Sequence, residues 1–293
     1  MKQKILFMMI DMNVGGTEKA FLNLVSEIDF TKYDVTLLLL EEKGGFLKDV
    51  PNEVQIETLE NYEQIKDEIM LPPLVCAKKA MHIKKYLKAV GILFYHIIFK
   101  ISNDRTSYYK YIIRKLKKKE GYDVAIAFAG PMEFITTYIL EKVEANKKIQ
   151  WIHFDISKNG TNLKHARRNY PKFNKIFVVS DQAKQILIDA IPSIDKITET
   201  KQNVVSEAAC LKLAEVGETY RNYDGIKILT VGRLYREKGQ DIIPEVARQL
   251  KKEGYDFKWY LIGEGSIRKE IEKKIEEYEL KDTVILLGTK TNP

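Results

Sequence analysis

Short, continuous apolar runs of about six residues alternate along this chain with segments of helical periodicity, and that alternation narrows the fold more than any other feature. Ile5–Ile10, Val35–Leu40 and the weaker Val54–Leu59 come first, followed by Tyr122–Phe128, Ile149–Phe154 and Lys175–Val179. Ile226–Val231, Phe257–Ile262 and Thr283–Leu287 close the series. A strand with one wet face alternates apolar and polar residues, whereas an unbroken apolar strand is covered on both faces. Phe21, Leu24, Val25 and Ile28 recur at helical spacing after the first run, and helical segments around Ile242–Leu250 and Ile267–Tyr278 separate the last three. Strands alternating with amphipathic helices predict an α/β protein built on parallel sheets. The polar stretch Cys210–Asp224 interrupts the rhythm and is the best linker candidate. It divides the chain into an N-terminal domain over residues 1–210 and a C-terminal domain over residues 225–293, and 293 residues suit about two domains. The second shows only three strands, with an apolar edge expected at Thr283–Leu287.

The basic and apolar N-terminus superficially looks like a signal peptide. Its apolar run stops at Asp11 and lacks a small-residue cleavage site, so a buried first strand is expected instead. No stretch reaches the roughly 20 apolar residues that span a bilayer. Two cysteines, Cys76 and Cys210, form neither a disulfide framework nor a four-ligand zinc site. A reduced, cytoplasmic protein is the expectation.

Charge is concentrated. The chain carries a net +7, yet Lys78 to Lys119 holds thirteen Lys/Arg against the single acid Asp104, or +12, leaving −5 for the rest. Within that block Ile83, Leu87, Val90, Leu93/Phe94, Ile97 and Ile101 recur at helical spacing among Lys84, Lys85, Lys88 and Lys100. Tyr108, Tyr109, Tyr111, Ile112 and Ile113 lead into Arg114, Lys115 and Lys117–Lys119. Two readings stand side by side. One is a pair of core-packed helices with a solvated basic face. The other is a pair of protruding helices whose basic and aromatic side chains meet an anionic membrane, where each cation contributes about 1 kcal/mol. Nucleic acid is disfavoured, because no helix-turn-helix, zinc or RNA-recognition signature accompanies the charge.

The strongest chemical signal is Val231-Gly232-Arg233-Leu234-Tyr235-Arg236-Glu237-Lys238-Gly239, which follows a strand and leads into a helix. Open α/β sheets bind ligands at that position. Gly232 permits close backbone approach, and Arg233 and Lys238 supply positive charge near a helix N-terminus. A diphosphate leaving group needs positive charge where negative charge develops. The next strand ends in Gly263-Glu264-Gly265, followed by Arg268 and a helix. Near the N-terminus Gly15-Gly16-Thr17-Glu18 joins the first strand to the first helix, with Thr17 as a helix cap. Trp151-Ile152-His153-Phe154-Asp155 ends another strand.

This set of motifs resembles the group 1 (family 4) glycosyltransferases of GT-B fold, two Rossmann-like domains, here with the second incomplete. The resemblance spans nearly the whole chain, most specifically Gly232–Gly265, and includes Val178-Val179-Ser180 and Gln202-Asn203-Val204-Val205. It implies that Arg233 and Lys238 hold the diphosphate of a nucleotide-sugar donor, with Gly232 beside them. It also implies that Gly15 and Gly16 form a loop facing the donor across the cleft, that His153 touches the donor sugar in a catalytic role, and that Gly263, Glu264 and Gly265 form a mainly structural turn. Sugar transfer to a glycan or lipid-linked acceptor, retaining and metal-independent, is the activity implied, with no cofactor beyond the donor. Cell-surface polysaccharide synthesis at the inner face of a membrane is the implied setting. Family members continue further, to an E-x7-E pair at the sugar and the ribose. The spacings Glu245–Glu253 and Glu264–Glu272 lie upstream of that place and read as solvent-facing helix charges. A truncated chain without turnover is therefore expected. A nucleotide-sugar epimerase of the same fold, a larger glycogen-synthase or phosphorylase-like enzyme, and a non-catalytic membrane- or glycan-binding remnant are the alternatives.

Overall fold

The computed structural model describes residues 2–130, 132–158, 160–216 and 223–290. The chain divides into two compact units, residues 1–206 and 207–293.

The first unit runs β1 (Gln3–Met9), α1 (Gly16–Ser26), β2 (Tyr33–Leu39), β3 (Val54–Thr58), α2 (Lys66–Met70), α3 (Pro73–His82), α4 (Tyr86–Ser102), α5 (Thr106–Ile113) and β4 (Lys119–Gly130). It continues with α6 (Glu133–Lys142), β5 (Val143–Ile152), α7 (Leu163–Asn169), β6 (Lys175–Val178), α8 (Asp181–Ala190) and β7 (Thr198–Thr200). The seven strands are parallel in the order β3-β2-β1-β4-β5-β6-β7. In β1 the side chains of Leu6 and Met8 enter one core, with Leu38, Ala125 and Ala127, while Phe7 and Met9 enter the other, with Leu37, Leu39 and Phe21. Both faces are buried, which is why these strands read as unbroken apolar runs. The strand order reverses between β1 and β4, and such a switch point opens a crevice at the carboxyl edge.

In the second unit α9 (Glu207–Val216) precedes β8 (Ile226–Val231), α10 (Ile243–Lys252), β9 (Phe257–Ile262), α11 (Arg268–Glu277) and β10 (Val284–Gly288). The sheet is parallel, in the order β10-β9-β8. The described part of the expected linker is thus largely helix, α9, while residues 217–222 of it lie outside the described residues. The apolar exposure falls on the opposite edge from the one expected. Ile226, Leu229 and Val231 of β8 face solvent, whereas Val284 of β10 is buried with Leu261 and Ile271.

The basic block folds as α3, α4 and α5, and its two aromatic-rich segments behave differently. Tyr108, Tyr109, Ile112 and Ile113 of α5 are buried in the core, so this segment is not the exposed amphipathic surface that one reading predicted. The α4 segment is the reverse, with Leu87, Val90, Phe94, Ile97 and Ile101 all exposed. The charge is also less free than the sequence suggests. Lys79, Lys88, Lys110, Lys117 and Lys119 pair with Asp67, Glu68, Glu141, Glu60 and Glu57, all outside the block. Among the described residues no helix is long and apolar enough to cross a membrane.

Candidate functional site

In the first unit the candidate residues gather at the carboxyl edge of the sheet. Gly15 is the N-cap of α1, in an extended conformation (φ −152°, ψ 167°); it has no side chain to cap the helix, and the Glu18 carboxylate of the first turn lies against it. Thr17 therefore does not cap it, contrary to the sequence expectation; it lies buried inside the first turn. A glycine at the cap supplies no side-chain acceptor of its own, at a helix end that favours negative charge, here that of Glu18.

His153 follows the last residue of β5. Its ring lies parallel to Trp151 (centroids 6.0 Å apart, 2° between planes) and 4.5 Å from the Phe128 ring. Phe128 packs in turn against Phe21 of α1, centroids 5.8 Å apart, so one aromatic cluster ties His153 to the helix that Gly15 and Gly16 begin. Burial pushes the imidazole down to about 4, so it is neutral at pH 7. Neither ring nitrogen has a partner in hydrogen-bonding geometry, although the Asn203 side chain and Phe128 backbone lie near enough to offset a little of the burial. Buried polar atoms are nearly always bonded, and an exception calls for an explanation. Gln202–Val205 borders this edge, since Asn23 Nδ2 of α1 donates to the Val204 carbonyl at 3.0 Å.

Sequence reasoning gave Asn203 no role of its own and passed over Glu133. Glu133 opens α6 just beyond β4, its Oε2 buried without a partner, and burial lifts its carboxyl to about 7, only partly opposed by Arg105. Its position after a strand that ends at the sheet switch point is the one signal that could have singled it out.

In the second unit the three strand ends are laced together. Gly232 N–H donates to the Ile262 carbonyl, Leu234 N–H to the Glu264 carbonyl, and Gly263 N–H to the Gly288 carbonyl, at 2.8–2.9 Å. A Cβ on Gly263 would stand 2.0 Å from the Gly232 oxygen, and one on Gly265 2.1 Å from the Leu234 oxygen. Gly263 also has φ +146°, which side-chain-bearing residues rarely adopt. These two glycines let the Gly263-Glu264-Gly265 turn lie directly against the Gly232–Leu234 loop.

Arg233 leaves that loop exposed, its guanidinium 5.0 Å from the Tyr235 ring and 3.7 Å from the Glu237 carboxylate. Lys238 is exposed and has no ion pair or side-chain hydrogen bond among the described residues. It lies in a single 3-10 turn (Arg236–Lys238) that Gly239 ends at φ +68°, and α10 begins only at Ile243. The positive character here thus comes from the side chains; the helix N-terminus expected beside them lies further along the chain. Gln240, buried, donates its amide to the Gly232 carbonyl at 3.2 Å and holds the loop from behind. Glu264 and Glu272 both clasp Arg268, while Glu245 pairs with Lys274 at 2.8 Å and Glu253 accepts from Gln249 at 3.1 Å. Each E-x7-E spacing is accounted for by surface ion pairs and hydrogen bonds.

The sequence model of the family described as Glycosyl transferases group 1 matches residues 217–293, the segment carrying Gly232, Arg233, Lys238 and Gly263–Gly265. The amylovoran biosynthesis glycosyltransferase AmsK of Erwinia amylovora is 27% identical over 185 residues, covering 61% of this chain and 44% of that protein. The putative colanic acid biosynthesis glycosyltransferase WcaL of Escherichia coli K12 is 35% identical over 65 residues, covering 22% of this chain and 16% of its own. The chain thus spans less than half the length of these curated relatives. Anabaena Alr3699/HepE in complex with UDP and glucose superposes over 99% of this chain and 70% of its own, at TM-score 0.62 and 15% identity. TarM of S. aureus, in complex with Fondaparinux, alpha-GlcNAc-glycerol and UDP, superposes over 99% and 78%, at TM-score 0.61 and 15% identity. Residues 217–293 thus match the group 1 glycosyltransferases in sequence, and the chain shares the GT-B fold of the solved glycosyltransferases on which it superposes.

Proposed function

We propose that this chain binds a nucleotide-diphosphate sugar and serves transfer of its sugar to a glycan or lipid-linked acceptor in cell-surface polysaccharide synthesis. The observation that carries the reading is the Arg233–Lys238 loop. It presents two exposed cations at the carboxyl edge of a parallel sheet, and Lys238 has no counterion among the described residues. Charge placed where a diphosphate accumulates its negative charge lowers the barrier to its departure, so no metal is required for that step. His153, neutral and with both ring nitrogens unpaired, suits a sugar hydroxyl better than a phosphate. The glycines at the start of α1, Gly15 and Gly16, let a donor approach the backbone closely there. The relatives named for amylovoran and colanic acid synthesis support a polysaccharide setting, and the neighbours solved with UDP support a nucleotide donor. Transfer proceeds with retention of configuration. The chain works at the inner face of an anionic membrane, which suits the exposed cations of the basic block that have no ion pair among the described residues.

These residues supply the diphosphate side of the chemistry. Neither E-x7-E spacing is available to a sugar or ribose, because each acid has its own partner. Orientation contributes roughly 7–11 kcal/mol in well-aligned reactions, so diphosphate binding without turnover is the expected behaviour of the 293 residues alone. The test is release of free nucleotide diphosphate from a panel of UDP- and GDP-sugars, comparing this chain with one extended by a full second domain. Turnover by both forms at similar rates contradicts the reading of binding without turnover, and turnover by neither contradicts the transferase reading.

A further inference from the structure

The apolar stripe on α4 is unaccounted for by sugar transfer. Leu87, Val90, Phe94, Ile97 and Ile101 follow each other at steps of three and four residues, on one face of the helix over roughly 21 Å. Leu87 is 91% and Ile101 81% exposed, while Ala89 and Ile92 on the opposite face are buried. Folding thus consumes one side of α4 and leaves five large apolar side chains in water, a patch of the kind that marks an interaction surface.

The charge around the stripe selects its partner. Tyr86–Ser102 contains no acid, and Lys84, Lys85 and Lys100 have no ion pair among the described residues. The block's single acid, Asp104, is buried and bonded to Arg168 at 3.0 Å. A second copy of the chain laid on this face would bring these cations against their own kind. An anionic surface meets them with the opposite sign.

Where the stripe begins, Leu87 also lines a groove of about 990 Å³ between α3, the start of α4 and the end of α5. Lys84, Lys85 and Lys115 line it without ion pairs among the described residues, and Arg114 lies over the Tyr111 ring, 3.7 Å from its centroid. The acids of the groove are engaged: Glu63 with Lys66, Asp67 with Lys79, and Glu68 with Lys88.

We propose that α4 lies in the plane of an anionic phospholipid membrane with its Leu87–Ile101 stripe at the acyl boundary, and that the adjoining groove takes a lipid phosphate between Lys84, Lys85 and Lys115. This is the arrangement of an interfacial amphipathic helix, apolar on one face and cationic beside it. It deepens the membrane reading of the basic block, rests on that reading, and is independent of the donor chemistry.

Co-sedimentation tests it, using vesicles of phosphatidylcholine alone and of phosphatidylcholine with phosphatidylglycerol. Three proteins are compared: the unaltered chain, Leu87→Gln/Phe94→Gln/Ile97→Gln, and Lys84→Gln/Lys85→Gln/Lys115→Gln. All substituted side chains are exposed, and circular dichroism checks that the fold is kept. The unaltered chain is expected to bind phosphatidylglycerol vesicles at least tenfold more tightly than phosphatidylcholine, and less tightly as salt rises. Each variant is expected to lose at least tenfold, and millimolar inorganic phosphate to leave vesicle binding intact. Equal binding to both vesicles, no binding at low salt, or full binding by the glutamine-stripe variant overturns the proposal. So does a dimer in sedimentation velocity that the stripe variant abolishes, since a second copy then covers the face. Donor titration of the same proteins separates the two readings: vesicle binding without donor binding counts against the transferase reading alone.

Discussion

His153 and His165 hold their imidazoles well below the usual range, both pushed down to about 4 by burial, and this has a signed consequence for stability. Between about pH 4 and 6.5 the unfolded chain takes up protons at these two residues that the folded chain refuses, so they make stability fall as pH falls through that window. Each contributes on the order of 3 kcal/mol, at 1.36 kcal/mol per unit. Glu133 runs the other way. Its folded carboxyl titrates near 7, so the folded state holds a proton between about 4.5 and 7 that the unfolded state has lost, and its contribution falls as pH rises. Denaturant melts across pH 4–8 are expected to show weakening toward acid that His165→Gln reduces, and Glu133→Gln is expected to stabilise the first unit by about 1–3 kcal/mol above pH 7. An acid limb unchanged in the histidine variant counts against this account. In NMR titration the His153 ring is expected to stay neutral down to about pH 5. None of this was legible in the sequence. The strand-end position marked His153, but the burial of its ring depends on Phe128 of the neighbouring strand closing over it, a contact between residues far apart in the chain.

At the scale of elements, the Gly263-Glu264-Gly265 turn works by omission of side chains. Gly263→Ala places a methyl 2.0 Å from the Gly232 oxygen, and Gly265→Ala places one 2.1 Å from that of Leu234; both obstacles are backbone. Each substitution is expected to destabilise the second unit by about 1–3 kcal/mol, as overpacking typically does. Each also shifts the Arg233 loop, weakening donor binding together with the urea midpoint. A variant that unfolds normally yet binds donor as before would show that the turn does not position the loop. The strands were legible because two-sided burial writes itself as unbroken apolar runs, as in Ile5–Ile10 and Val35–Leu40. β7 was missed, being three residues of Thr-Glu-Thr with no apolar run to betray it. α4 shows the limit of periodicity. A stripe facing a core and a stripe facing solvent have the same spacing, so Leu87–Ile101 fitted both readings until the packing of Ala89 and Ile92 showed which face was consumed. The 3-10 turns between β8 and α10 were equally hidden, because Gly239 read as one more glycine in a strand-to-helix turn.

For the whole molecule, the GT-B fold and the resemblance to the group 1 glycosyltransferases were legible because the Gly232–Gly239 motif and the glycine turn recur at the ends of consecutive strands, about thirty residues apart. The central claim is that Arg233 and Lys238 hold the diphosphate of a nucleotide-sugar donor. Charge-assisted hydrogen bonds contribute about 1.5–3 kcal/mol each, so Arg233→Ala and Lys238→Ala are each expected to raise Kd roughly tenfold to a hundredfold. Arg233→Lys should recover only part of the loss, because an ammonium cannot reproduce the planar fork of the guanidinium. Both side chains are exposed, so neither change should move the unfolding midpoint by much. The most direct measurement is a calorimetric titration of the 293-residue chain and the Arg233→Ala/Lys238→Ala double variant with UDP- and GDP-sugars. Saturable binding of at least one donor is expected for the unaltered chain and loss of that binding for the double variant, with the fold intact. Undiminished affinity in the double variant would contradict it.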